Sequence, residues 1–575
     1  MKRKLFITLF AALCVSACAL PLAACGNDDK GTEGLEYVLN DDGASYSVKA
    51  SNEIPGNIEE IKIPATHEGK PVTAISDYGF QTFFKLKTVS VPKSVTSIGR
   101  MAFYECRSLK NVNIPDGVTS IGAEAFCRCS NLMEISFPDS VTDIGKSALY
   151  NTQYYFNEDN WQGGALYNNN HLIAVNETVS GNFEIKAGTL TLADWALSEN
   201  TAITGVTIPD GVISIGSYAF YGCTALTGAT IPEGVKKISD STFYGCTSLS
   251  SVSIPDGVIE IGMSAFFGCT ALTSITIPEG ATSIGSWAFN ECANLENISI
   301  PDSIVSIGGA AFRWCNKIEY NTDGAAKYLG NSNNPYVVLT SGPRDKDITS
   351  CDINEKTKII GNDAFGGCEN LTSITIPDSV TSIDNAAFSG CSSLTSITIP
   401  DSVTYIAGSA FSRCSSLTSI TIPDSVTYIG SYMFEHCTSL TSISLPSGIT
   451  LIDSGTFLNC SSLASITIPE SVTVIENSAF ADCSSLTSVI IPDGVTNIYW
   501  MTFRGCTSLT GITIPNSVTI IDNFAFAQCE SLTDVYYKGS EADWKKIDIF
   551  TESRNEEGTD LNNEKLLNAT IHYNY

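Results

Sequence analysis

The sequence predicts a β-rich solenoid: parallel strands stacked with short helical turns into a single elongated array that curves or spirals. Three observations predict it. A phrase that is cleanest from Leu371 to Ser393 begins again at Leu394, Leu417, Leu440, Leu463, Leu486 and Leu509, each time 23 residues on. A fixed period of this size marks units too small to bury their own apolar face, which must stack on their neighbours. Within the phrase, Ile374 and Ile376 alternate with Ser373 and Thr375, the pattern of a strand with one buried face. The chain has 575 residues, 43% hydrophobic and only 16% charged, which is the composition of a folded body. A globular chain of that length would divide into domains, whereas a stack grows along one axis.

The elements follow in order. Residues 1–24 read as an export leader, with basic Lys2-Arg3-Lys4, an apolar run from Leu5 to Leu20, and small residues before Cys25. Leu22-Ala23-Ala24-Cys25 resembles a bacterial lipoprotein signal, which implies that Cys25 is acylated and becomes the first mature residue. Val15-Ser16-Ala17-Cys18 is a second match, but cleavage there would leave apolar Ala19 to Ala24 on the mature end. Residues 25–34 form a polar tether, and 35–60 a hairpin that caps the open edge of the stack. Repeats then occupy 61–150, 186–319 and 353–534, and residues 535–575 form the C-terminal cap. Two irregular units interrupt them, at 151–185 and 320–352, each holding about one repeat with an insertion. These insertions are expected to expose aromatic and Asn-rich loops, because insertions in a solenoid project from one face.

Each slot of the phrase has a structural role. Leu371, Ile374, Ile376, Val380, Ile383, Phe388 and Cys391 fill the core. Pro377 stops the strand and presets the turn, in which Asp378 can bond the backbone. Ala387-Phe388 before Cys391 is too short for a full helix and reads as a helical turn. Fifteen cysteines, from Cys106 to Cys529, share the Cys391 slot in runs of two, five and eight. The run of five cannot pair within itself, and Phe83 fills the same slot, so they read as buried free thiols.

The Leu-x-x-Ile-x-Ile-Pro, Val-x-x-Ile-Gly and Ala-Phe-x-x-Cys segments resemble the leucine-rich repeat superfamily, specifically its BspA-like branch of bacterial and protozoan surface antigens. The resemblance covers residues 35 to 575 and recurs about eighteen times. It implies a curved parallel solenoid, and at a strand spacing near 4.8 Å eighteen units would span roughly 90 Å. It also implies adhesion to host matrix proteins or to other cells.

Composition excludes other functions. A net charge of −29, made more acidic when the leader takes away three basic residues, repels nucleic acid and anionic membrane, so any membrane contact runs through the lipid. The histidines His67, His171, His436 and His572 are scattered and no Cys-x-x-Cys pair exists, so no metal site or cofactor is expected. Enzyme signatures, such as Gly-x-Ser-x-Gly or a phosphate-cradling loop, are absent and no catalytic residue is assigned.

Two surfaces remain for recognition. Outward strand positions make a Ser/Thr sheet, carried by Ser373, Thr375, Ser396, Thr398, Ser419 and Thr421 and continuing to Thr513. The insertions offer Tyr154, Tyr155, Trp161, Tyr328 and Tyr336 as exposed aromatics able to stack on a glycan. The expected function is a non-catalytic, lipid-anchored surface protein that adheres to a host matrix or other cell-surface protein. The rivals are a polysaccharide-binding lipoprotein and a passive envelope spacer.

Overall fold

The computed structural model describes residues 31–343, 348–551 and 562–575; the leader, Cys25 and the rest of the tether up to Lys30 lie outside them. Most coils carry two short strands and one corner. The Leu-x-x-Ile-x-Ile segment makes a three-residue strand, such as Ser419–Thr421, which pairs in parallel with Ser442–Ser444. The Val-x-x-Ile segment makes a two-residue strand, such as Ser97–Ile98, which pairs with Ser120–Ile121. Ser97 sits opposite Ser120, so the register equals the sequence period and like slots stack on like.

The turn between the two strands is closed by its backbone: the Val380 N–H donates to the Pro377 carbonyl at 3.0 Å. Ser379 adds a link between coils, its hydroxyl donating to the Thr357 carbonyl at 2.7 Å. Ser402 and Ser425 repeat that bond, so the serine of Pro-Asp-Ser ties the stack, and exposed Asp378 is not what closes the turn.

The corner is a run of tight turns in which two slots per coil adopt the left-handed region. Met101 and Glu105 have φ of +52° and +58°, and Trp287 and Glu291 repeat them at +56° and +63°. That conformation costs an L-residue about 1–2 kcal/mol. Alternating hand offsets the cost by aiming every second N–H along the solenoid axis. Met101, Phe103 and Glu105 donate to the carbonyls of Ala123, Ala125 and Cys127 at 2.9, 2.8 and 2.9 Å, so the third side of the coil also carries a ladder.

Inside, the phenylalanines stack face to face, with Phe365 and Phe388 5.2 Å apart and 7° from parallel. The buried ladder thiols donate to the carbonyl of the Phe slot in the coil before, from Cys106 to Phe80 at 3.1 Å through Cys223 to Leu197 at 3.1 Å and Cys391 to Phe365 at 3.3 Å to Cys529 to Phe503 at 3.1 Å. Burial pushes Cys223, Cys437, Cys483 and Cys529 up to about 12. They are free thiols held protonated by their surroundings.

The two irregular units are built alike, as short antiparallel meanders that end in a strand parallel to the next coil. In the first, Ala165–Asn168 pairs with His171–Val175, which lies parallel to Thr191–Leu192. In the second, Ala326–Leu329 pairs with Val338–Ser341, which lies parallel to Ile359–Ile360. Both use asparagine side chains to seal the strand edge they meet, which corrects the expectation of exposed Asn-rich loops. Asn168 is buried, accepts from the Phe137 N–H at 2.7 Å and donates to the Ile135 carbonyl at 2.9 Å. Asn331 donates to the Ile300 carbonyl at 3.0 Å. A side-chain amide presents a donor and an acceptor and can therefore replace a missing backbone partner.

At the ends, an antiparallel hairpin of Leu35–Leu39 and Tyr46–Ala50 covers the first coil. Thr570–Tyr573 lies parallel to Asp534–Tyr537 over the last. No helix among the described residues is long and apolar enough to cross a membrane.

Candidate functional site

The Ser/Thr face divides into two rows with different chemistry. Thr372 and Thr418, at the strand edge, turn their hydroxyls along the axis and donate to the Thr349 and Thr395 carbonyls at 2.9 and 3.3 Å. Ser373, Thr375, Ser419 and Thr421 lie on strands with their side chains exposed. Ser396 and Thr398 are equally exposed but sit on extended chain outside the hydrogen-bonded strands. Among the described residues, none of these six hydroxyls has a side-chain hydrogen bond within the chain. The row ends before Thr513, which is only 8% exposed. Ile490 and Tyr536 flank Thr513 in register, and their larger side chains close over it.

On the first array the same face forms a shallow trough of about 520 Å³, floored by Gly228 and Ala229 and walled by Thr230, Ser253 and Thr276. It is broad, open and without charge.

The insertion aromatics separate into two groups. Tyr154, Tyr155 and Trp161 are brought together and half-buried, and the polar groups of Tyr154 and Trp161 are spent internally. Tyr154 Oη donates to the Tyr167 carbonyl and Trp161 Nε1 to the Tyr155 carbonyl, both at 2.7 Å. Tyr155 meets Tyr150, Phe156 and Trp161 edge to face at 5.2, 5.6 and 5.3 Å. Tyr328 contradicts its expected exposure: it is 0% exposed and packs in the core, its hydroxyl accepting from the Asn354 N–H at 3.3 Å. Alternation within Ala326–Leu329 explains this, since Ala326 and Tyr328 point inward while Lys327 points out. Tyr336 is half-buried with its ring 5.3 Å from Tyr328. The two insertions therefore do not present equivalent aromatic surfaces.

The side chains that the first insertion does present are different ones. Phe156 is 62% and Tyr150 45% exposed. Beside them opens a cleft of about 310 Å³ lined by Lys146, Tyr150, Tyr155, Asp194, Trp195 and Glu199. The Lys146 ammonium lies 3.6 Å from the centre of the Trp195 ring, whose plane stacks on Tyr218 at 4.5 Å. Burial pushes the Asp194 carboxyl up to about 6, although the Ser217 N–H, 2.6 Å away, favours its charged form. The signal for this cleft was periodic and legible: Trp195 and Tyr218 share one slot, and Tyr221, Tyr244 and Phe267 share another. Among the described residues, no group of three or more His, Cys, Asp and Glu side chains is placed to hold a metal ion.

Short parallel strands, a 23-residue register and an aliphatic, Phe and Cys core define a leucine-rich repeat solenoid. The chain matches the BspA type leucine rich repeat region over residues 53–157, 191–319, 344–464 and 451–550, and it belongs to that family. Among solved structures it is similar to a leucine-rich repeat protein from Bacteroides ovatus, with 23% identity, 95% of this chain and 99% of that chain covered, and a TM-score of 0.25. It is similar also to a leucine rich cell surface protein from Faecalibacterium prausnitzii, with 26% identity, 92% and 100% covered, and a TM-score of 0.20. A pneumococcal vaccine antigen, PcpA, shares 14% identity over 91% of this chain and 99% of its own, with a TM-score of 0.24. No curated protein matches the chain.

Proposed function

We propose that this chain is exported, anchored at the outer face of a bacterial cell through lipid on Cys25, and there holds a partner protein of a host matrix or of another cell without catalysing a reaction. The observation that carries the reading is the row of unpartnered hydroxyls. Ser373, Thr375, Ser419 and Thr421 project from the sheet and have no side-chain partner among the described residues, whereas the neighbouring Thr372 and Thr418 are consumed by the fold. A broad uncharged face with preplaced donors and acceptors suits a macromolecule more than a small ligand. Pull-down with immobilised matrix proteins tests it. Thr398→Lys with Thr421→Lys, two exposed changes, is expected to abolish capture without altering the circular dichroism spectrum. Capture equal to wild type would end the reading. Cys25→Ser is expected to release the protein from the membrane fraction, and Cys18→Ser to leave it there.

A second reading, glycan binding, is favoured by exposed Tyr150 and Phe156 beside a cleft that also offers Asp194 and Glu199. Aromatic faces and carboxylates together recognise sugar rings and their hydroxyls. Loss of glycan-array binding in Tyr150→Ala and Trp161→Ala would support it.

A further inference from the structure

The second insertion leaves an unfinished edge. Ser306–Ile307 pairs on one side with Ser283–Ile284, and on its other side no strand follows among the described residues, because Val338–Ser341 pairs forward to Ile359–Ile360 instead. The buried core divides at the same place. Residues from Val48 to Ile318 belong to one cluster and those from Ile360 to Leu566 to another, with the meander shared between them.

What meets the unfinished edge is Asp384, which comes from two coils further on and lines the same cleft as Ile307, its carboxyl facing the Ile307 backbone. Its slot is glycine in half of the coils. At Gly308 a Cβ would lie 2.2 Å from the Ser286 nitrogen. Asp453 and Asp522 fill the slot elsewhere in the second array, half-exposed and each bonded to the N–H of the next residue. Asp384 is 3% exposed. Its Oδ1 lies 3.2 Å from the hydroxyl of Ser382, and Oδ2 has no partner. It borders a cleft of about 510 Å³ whose walls come from both arrays: Glu260, Ser283 and Ser306 on one side, Asp384, Asn385 and Tyr405 on the other. A second cleft of about 530 Å³ adjoins it along Ile307 and Gly308.

We infer that Asp384 is the latch of a pH-sensitive elbow: protonated, it holds the two arrays together across the cleft, and ionised, it releases them. A neutral carboxyl can rest against the Ile307 edge. A carboxylate there is a desolvated charge with two donors at most, and opening the cleft would return it to water. Burial accordingly pushes the group up to about 8. The sign follows from linkage. The closed form keeps its proton where the open form, near the ordinary value of about 4, has lost it. Closure is therefore strongest in acid, and the closed-to-open ratio falls about tenfold per pH unit between roughly 4 and 8, with no further loss above.

Charged and titratable groups also face Asp384 from both arrays. Glu260 lines the same cleft, paired with Lys237 at 2.8 Å, so an ionised Asp384 adds a like charge. Tyr405 is raised by its own burial and by Asp384. Arg313 and Asp363 lie in the adjoining cleft.

Small-angle scattering of the full-length chain from pH 5 to pH 9 at fixed salt tests the latch. Wild type is expected to lengthen as pH rises while its circular dichroism stays constant. Asp384→Asn, neutral at every pH, is expected to keep the compact dimension, and Glu260→Gln to lengthen like wild type. A folded wild type of constant dimension, or an Asp384→Asn variant that lengthens with it, overturns the proposal. Should Asp384→Asn fail to fold, hydrogen exchange of the Ile307 amide in wild type decides. Protection lost with pH beyond the intrinsic rate supports the latch, and unchanged protection overturns it.

Discussion

The two insertions share an architecture and an asparagine device, yet one preserves the solenoid and the other divides it. At the first, the Asp194 N–H reaches past the meander to the Ile144 carbonyl at 2.8 Å, so the ladder of the first coils continues into the next. His171 adds to this seal: fully buried, it joins the Thr191 hydroxyl at 2.7 Å and the Pro138 carbonyl at 3.0 Å. Burial holds its pKa below the usual histidine value, which keeps the ring neutral. At the second, Ile300 bonds to Gly330 at 2.9 Å, but the other face has no such crossing and Ile307 is left to Asp384. The difference teaches that a repeat tolerates an insertion as a single body only where both strand faces are rejoined.

The comparison is broken most severely through the core. Phe266→Ala and Phe388→Ala each remove a ring from a fully buried stack and are expected to destabilise by about 3–5 kcal/mol. Because the two rings lie in separate clusters, hydrogen exchange should accelerate mainly in the array that carries the change. Equal acceleration in both arrays would show one cooperative body.

The asparagines come next. Asn168→Ala strands a buried N–H and a buried carbonyl and is expected to cost about 2–3 kcal/mol. Asn331→Ala, at a half-exposed site, is expected to cost about 1 kcal/mol. Denaturant midpoints in the reverse order would contradict the account of the two seals.

Cysteine gives a smaller contrast. Cys437→Ala removes a buried thiol and its bond to Phe411 at 3.2 Å, for an expected loss of about 1 kcal/mol. Half-exposed Cys351 at the second insertion should tolerate alanine with no measurable shift in denaturant midpoint.

The smallest effect is electrostatic. Asp194 is raised to about 6, so its contribution to stability is present in acid and is lost as pH rises from about 4 to about 6. Asp194→Asn should flatten the slope of Tm in that window, and a slope equal to wild type would remove Asp194 from the account.

Much of this was legible in the chain itself. The 23-residue period, the inward Leu, Ile, Val, Phe and Cys slots and the interruptions at 151–185 and 320–352 all follow from residue order. They are legible because every contact inside an array joins like slots one period apart, so a single phrase encodes its own packing. The exposed hydroxyls of the Ser/Thr row follow from the same alternation. The left-handed corner slots were not legible, since Met101, Glu105 and Trp287 carry no residue type that demands positive φ; the ladder imposes it. Tyr328 was misread for a related reason, because a meander strand has no period to say which face is buried.

What the sequence alone determined, then, is the coil and its repetition, through contacts at a constant separation. What only the tertiary structure decided lies where that constancy fails. Tyr150 and Phe156 emerge beside the Asp194 cleft because the first meander folds back on the stack, and Asp384 meets Ile307, 77 residues away, because the second meander turns one array onto the edge of the other. Those contacts depend on the path of two aperiodic segments, and no slot of the repeat specifies such a path.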